Sequence, residues 1–141
     1  MEFASDIAAS DIAAAVGRGE RSAESVVAVA LERAHRVQQA LNAFITLDEE
    51  GALATARALD ARLAGGETAP ALAGVPVVVK DNLCTKGLRT TAGSKSLESF
   101  VPPYHATVVA RLLAAGAVVV AKSNLDEFGM GSSNENSAYG P

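Results

Sequence analysis

The chain has 141 residues, of which 49% are hydrophobic and 20% charged, so one domain's length comes with material for a packed core and an intrinsically disordered segment is excluded. Its net charge of −4, with no cluster of Lys or Arg, argues against this segment gripping a nucleic-acid backbone, although another subunit of a complex could do so. The lone Cys84 excludes an internal disulfide and supplies no metal-ligand set, and no apolar stretch reaches membrane-spanning length.

Two helices are predicted first. Asp6 to Val16 has weak periodicity, with Gly17 as its expected stop. Ser22 is placed to cap a stronger helix, Ala23 to Leu41, whose apolar stripe is Val27, Leu31, Ala34, Val37 and Leu41. His35 falls off that stripe and is expected in solvent. Asn42 to Leu47 reads as a short strand. Asp48 caps the next helix, where Glu49 and Glu50 suit the positive end of the dipole and Leu53, Ala56, Leu59 and Leu63 form the buried face. Gly65 and Gly66 stop it. Val75 to Val79 is apolar at every position, the pattern of a strand covered on both faces, with Pro76 confined to its start or to a sheet edge. The stretch from Asn82 to Pro103 is irregular and longer than an ordinary connection, as functional loops often are. Ala106 to Ala115 is a helix ending at Gly116, and Ala117 to Ala121 a second apolar strand. Asn124 with Glu127 offers a capping box for one helical turn, and Gly129 to Pro141 is a loop. Strand, helix and strand between Val75 and Ala121 predict a βαβ unit with a parallel pair, and hence an α/β fold.

Ligands of such sheets bind beyond the carboxyl ends of the strands, which nominates Lys80 and Lys122 by position. Lys80 has two readings. It is either a lysine snorkelling from a strand end to water, or a base held dry enough that desolvation favours its neutral form and lets it take a proton from a serine hydroxyl. Asp81 and Asn82 are placed to orient the following loop through side-chain-to-backbone bonds. Lys122-Ser123 has the ending of a phosphate loop without its glycines, so a nucleotide site is rejected and Lys122 is read as structural. Gly131-Ser132-Ser133 lacks the G-x-S-x-G elbow and has no clear histidine base, since His105 is expected at the opening of the Ala106 helix. It reads as a turn whose small residues allow close backbone approach and could line a pocket with N–H groups. Cys84 reads as a packing residue.

The stretch Gly74-Val-Pro-Val-Val-Val-Lys80-Asp-Asn82 resembles the lysine segment of the amidase-signature family. Cys84-Thr-Lys-Gly-Leu-Arg-Thr-Thr91, Phe100-Val-Pro-Pro-Tyr104 and Ala106-Thr-Val-Val109 continue the likeness. Lys122-Ser-Asn-Leu-Asp-Glu-Phe-Gly-Met-Gly-Ser-Ser-Asn-Glu-Asn-Ser-Ala-Tyr-Gly-Pro141 is similar to members serving as the glutaminase subunit of a tRNA-dependent amidotransferase. The resemblance implies that residues 1–141 are the N-terminal portion of a single amidase-signature domain, a mixed or parallel sheet flanked by helices and cut within the domain. It implies a Ser–cis-Ser–Lys triad in which Lys80 is the base, both serines coming from a Gly/Ser-rich stretch beyond Pro141. Met130, Gly131, Ser132 and Ser133 match a segment near the substrate pocket. No metal or cofactor is implied for this segment; ATP and Mg²⁺ would be used by the complex, mainly in a second subunit. The implied partners are the B-like and C-like subunits of a heterotrimer, misacylated tRNA and glutamine as ammonia donor, with no membrane, in the cytoplasm. Met1 to Asp6 lacks the basic and apolar regions of a signal peptide, in keeping with that setting. A stand-alone amidase of the same family is the alternative. Residues 1–141 by themselves are expected to be inactive, with strand edges and an apolar face left open.

Overall fold

The computed structural model describes residues 7–141. Helices α1 (Ala9–Gly17) and α2 (Ala23–Leu41) lead into strand β1 (Phe44–Leu47), followed by α3 (Glu49–Ala64), β2 (Pro76–Lys80), α4 (Thr107–Ala114) and β3 (Val118–Ser123). The strands form one mixed sheet in the order β1-β3-β2, with β3 parallel to β2 and antiparallel to β1. The predicted βαβ unit is therefore β2-α4-β3.

Helices α2 and α3 cover one face of the sheet. Val27, Leu31, Ala56 and Leu59 bury against Val118, Val120 and Ala121. On the other face Val109 of α4 closes over Val79 and Val119. Burying a side chain of this size contributes about 1.5–3 kcal/mol, so these few contacts suffice to fix the sheet between its helices. The caps follow the sequence. The Ser22 hydroxyl accepts from the Ser25 N–H at 3.1 Å, and Asp48 accepts from the Gly51 N–H at 3.2 Å. Asp60 of α3 adds a cap from a distance, accepting the Ala23 N–H at 2.6 Å and the Glu24 N–H at 3.0 Å, and so ties α3 to the start of α2.

Several boundaries move. Asp6 lies outside the described residues. Helix α1 runs through Gly17 instead of stopping there, and the turn is made by Gly19 at φ 70°. Asn42 is not strand; at φ 47° it is the left-handed C-cap of α2. Strand β3 extends past Ala121, so Lys122 sits inside it and not after it. The expectation that the Val75–Val79 run is covered on both faces fails. β2 is an edge strand, Val78 is 47% exposed, and the strand covered on both faces is β3. An all-apolar run records what a strand can tolerate beside it, not which neighbours it has, and Pro76 was the residue that marked the edge. Among the described residues, no helix is long and apolar enough to cross a membrane.

Candidate active site

Lys80 is the last residue of β2 and pairs with Ser123 of β3. Its carbonyl accepts from the Leu83 N–H at 2.9 Å, a tight turn that ends the strand, and its side chain is exposed. It borders a cleft of about 300 Å³ whose other walls come from the loop after β3, including Asn124, Asp126, Gly131, Ser132 and Ser133. The cleft thus lies beyond the carboxyl ends of the parallel strands, where such sheets place their ligands. Of the residues proposed from sequence, Lys80, Gly131, Ser132 and Ser133 are brought together. Met130 is 83% exposed and does not border the cleft. Lys80 and Asp126 are the ionisable groups among the lining residues.

Asp126 holds the cleft wall. Its buried carboxylate accepts from the Asn134 N–H at 2.9 Å and the Asn136 N–H at 3.0 Å. Those two backbone bonds hold its pKa below the ordinary aspartate range. Gly131 is required beside it: a Cβ there would stand 2.4 Å from Asp126 Cγ. The capping box expected of Asn124 and Glu127 is absent. Asp126 precedes the 3₁₀ turn Glu127–Gly129 without capping it, and Glu127 instead accepts from the Ser94 hydroxyl. Asn124 serves as a clasp: Oδ1 accepts from the Leu125 N–H at 2.9 Å, and Nδ2 donates to Asn42 O at 3.1 Å and Gly140 O at 2.8 Å. An Asn three residues before a Glu reads the same in either role; the partners that decide it are remote in sequence.

Behind the cleft lies a second lysine with the opposite character. Lys122 is fully buried, and its Nζ donates to Leu83 O at 2.9 Å and Thr90 Oγ1 at 2.8 Å and stands 3.3 Å from Asp81 Oδ1. Burial pushes the Lys122 pKa below the usual lysine value, and the neighbouring Asp81 carboxylate opposes the shift. Its three donors all face acceptors and none reaches solvent, so it serves as an internal tie and not as a base for an incoming substrate. The structural role read for Lys122 holds; its partner Asp81 was missed because 41 positions separate the two. The dry setting required of a neutral lysine is found at Lys122, while Lys80 is exposed among the described residues. Asp81 does orient the loop as expected, its Oδ2 accepting from the Thr91 N–H at 2.8 Å and the Thr91 hydroxyl at 2.6 Å.

The two histidines are engaged elsewhere. His105 Nδ1 accepts from the Lys86 N–H at 3.1 Å, away from Ser132 and Ser133. His35 is half exposed, with Nε2 3.1 Å from Glu49 Oε1. Among the described residues no three His, Cys, Asp or Glu side chains cluster to hold a metal ion. A second groove, about 310 Å³ and lined by Val26, Val37, Phe44, Pro76, Val78 and Val120 among others, is apolar and offers no acid or nucleophile.

A family model described as amidase matches residues 25–141. The A subunit of the glutamyl-tRNA(Gln) amidotransferase of Synechococcus sp. (strain JA-2-3B'a(2-13)) is 58% identical over 120 residues, which cover 85% of this chain and 24% of that protein. The chain therefore spans about a quarter of the length of this curated relative. Among solved structures, the peptide amidase of Stenotrophomonas maltophilia superposes with a TM-score of 0.82 at 32% identity, covering 88% of this chain and 26% of that one. The A subunit of the glutamyl-tRNA(Gln) amidotransferase of Thermotoga maritima superposes with a TM-score of 0.67 at 36% identity, covering 84% and 24%.

Proposed function

The chain belongs to the amidase family, and from that premise we propose that it is part of the glutamine-hydrolysing subunit of a tRNA-dependent amidotransferase, with Lys80 as the base of its triad. The observation that carries this reading is the cleft. The lysine of the family-like segment and the Gly131-Ser132-Ser133 turn, far apart in sequence, line one concavity at the carboxyl end of the parallel strands.

In the proposed reaction neutral Lys80 takes a proton from a bridging serine, which takes one from the nucleophilic serine. That oxygen attacks the side-chain amide carbon of glutamine. The C–N bond breaks, ammonia leaves with the proton returned through the relay, and water then hydrolyses the acyl-enzyme to glutamate. Residues 1–141 contribute the lysine and a cleft wall; the two serines belong to sequence outside them. In this reading Gly131, Ser132 and Ser133 line the glutamine pocket, while Met130, turned to solvent, flanks it.

The partners follow from this reading. Two further subunits, B-like and C-like, complete a heterotrimer; ATP and Mg²⁺ activate misacylated tRNA mainly on the B-like subunit, in the cytoplasm. The acidity of this segment suits that division of labour, with the nucleic acid held elsewhere. A second reading is a stand-alone amidase, favoured by the closer superposition on the peptide amidase than on the Thermotoga protein. Expression of the full-length protein with its neighbours' products separates the two. Co-purification of two further subunits and glutamine-dependent conversion of Glu-tRNA(Gln) to Gln-tRNA(Gln) is the expected result. Efficient hydrolysis of simple amides by a partner-free protein, with no tRNA amidation, would favour the amidase.

A further inference from the structure

Asp81, the residue after Lys80, is held by hydrogen bonds through its N–H, its carbonyl and one carboxylate oxygen, and by an ion pair through the other. Its N–H donates to Ser123 O at 3.2 Å and its carbonyl accepts from the Ala92 N–H at 3.0 Å. Its Oδ2 accepts from both the N–H and the hydroxyl of Thr91, and its Oδ1 faces the Lys122 ammonium at 3.3 Å. The Lys122 ammonium donates hydrogen bonds to Leu83 O and Thr90 Oγ1. The loop from Asp81 to Ala92 is thereby drawn into a ring that closes on the backbone bearing Lys80.

The ring also encloses a buried pair of opposite charges. Asp81 and Lys122 are both 0% exposed, so an anion buried one residue from Lys80 is matched by a cation from the neighbouring strand. A buried ion pair is no more stabilising than well-packed apolar side chains of the same volume. Stability alone therefore gives little reason for this pair, and its position beside Lys80 gives a specific one.

We propose that Lys122 and Asp81 are positioning residues for Lys80, fixing the strand end from which it enters the cleft. The proposal rests on the reading of Lys80 as the base. Three other ionisable groups bear on the arrangement: Asp126 across the cleft, Cys84 acting on Lys122 from the loop after β2, and Lys80 itself. None of them is altered in the variants that probe the pair.

The test is how the loss divides between kcat and KM for glutamine hydrolysis by the full-length protein with its partner subunits. Lys122→Met opens the ring, so kcat per folded molecule is expected to fall at least tenfold while KM changes less than twofold. The double variant Lys122→Met/Asp81→Asn strands no charge but leaves the ring open, and the same loss of kcat is expected. Activity lost only in proportion to the folded fraction overturns the proposal. Should Lys122→Met fail to fold, the double variant decides alone, and a wild-type kcat per folded molecule overturns it. Lys80→Ala separates the two levels. If that variant keeps its activity, the proposed function fails; if it is inactive while Lys122→Met keeps a wild-type kcat per folded molecule, only the positioning role fails.

Discussion

At the residue scale two buried charges organise the site. Lys122→Met is expected to cost about 3–5 kcal/mol of stability, because it strands the Asp81 carboxylate in a dry interior. Chemical denaturation of the intact protein measures this, and a loss under about 1 kcal/mol would mean that the pair is not buried. Asp126 makes a pH-dependent contribution. Its backbone bonds lower its folded pKa beneath the ordinary 3.8, so the stability it supplies is complete above that value and is lost as the pH falls through the lowered one. Hydrogen exchange at Asn134 and Asn136 is therefore expected to accelerate only below about pH 4, an acid response absent from Asp126→Asn, whose wall is loosened at every pH. An unchanged exchange profile in that variant would dismiss Asp126 as the support of the cleft. Lys80 was legible in the sequence because it closes an apolar run. Asp126 and the Asp81–Lys122 tie were not, since hydrogen bonds between remote positions leave no local periodicity.

At the scale of elements, what was local was readable. Ser22 and Asp48 cap the helices they were expected to cap, and α2 and α3 bury the stripes their spacing defines. The ends of α2 depart from this. Val37, on the wall of the apolar groove, is 38% exposed and Leu41, in the last turn, 67%. Periodicity shows which face is apolar but not how far its partner reaches. The β2 edge is the same lesson in a strand. Two substitutions test the packing. Leu59→Ala, 4% exposed in the α2–α3–sheet core, is expected to cost about 2–5 kcal/mol. Gly116→Ala at the α4–β3 turn combines φ 91° with a Cβ 2.4 Å from Pro70 Cγ, so it is expected to destabilise more than the usual surface change and to shift the start of β3. Thermal midpoints equal to wild type for either variant would contradict this packing.

At the scale of the molecule, the described residues make a three-stranded sheet whose β2 edge and neighbouring apolar groove are open. The family-like segments carried most of the functional reading. The fold then brought the lysine segment and the Ser132-Ser133 turn to one cleft, which spacing alone could not do. The curated Synechococcus relative is about four times longer than the matched stretch, so the chemistry has to be tested in the full-length protein. The most direct test is ammonia release from glutamine by the full-length Lys80→Ala variant in its complex, compared with wild type at equal folded concentration. Hydrolysis abolished, with the fold and the assembly of the complex retained, is the result expected of a base at Lys80; ammonia release at the wild-type rate would contradict it.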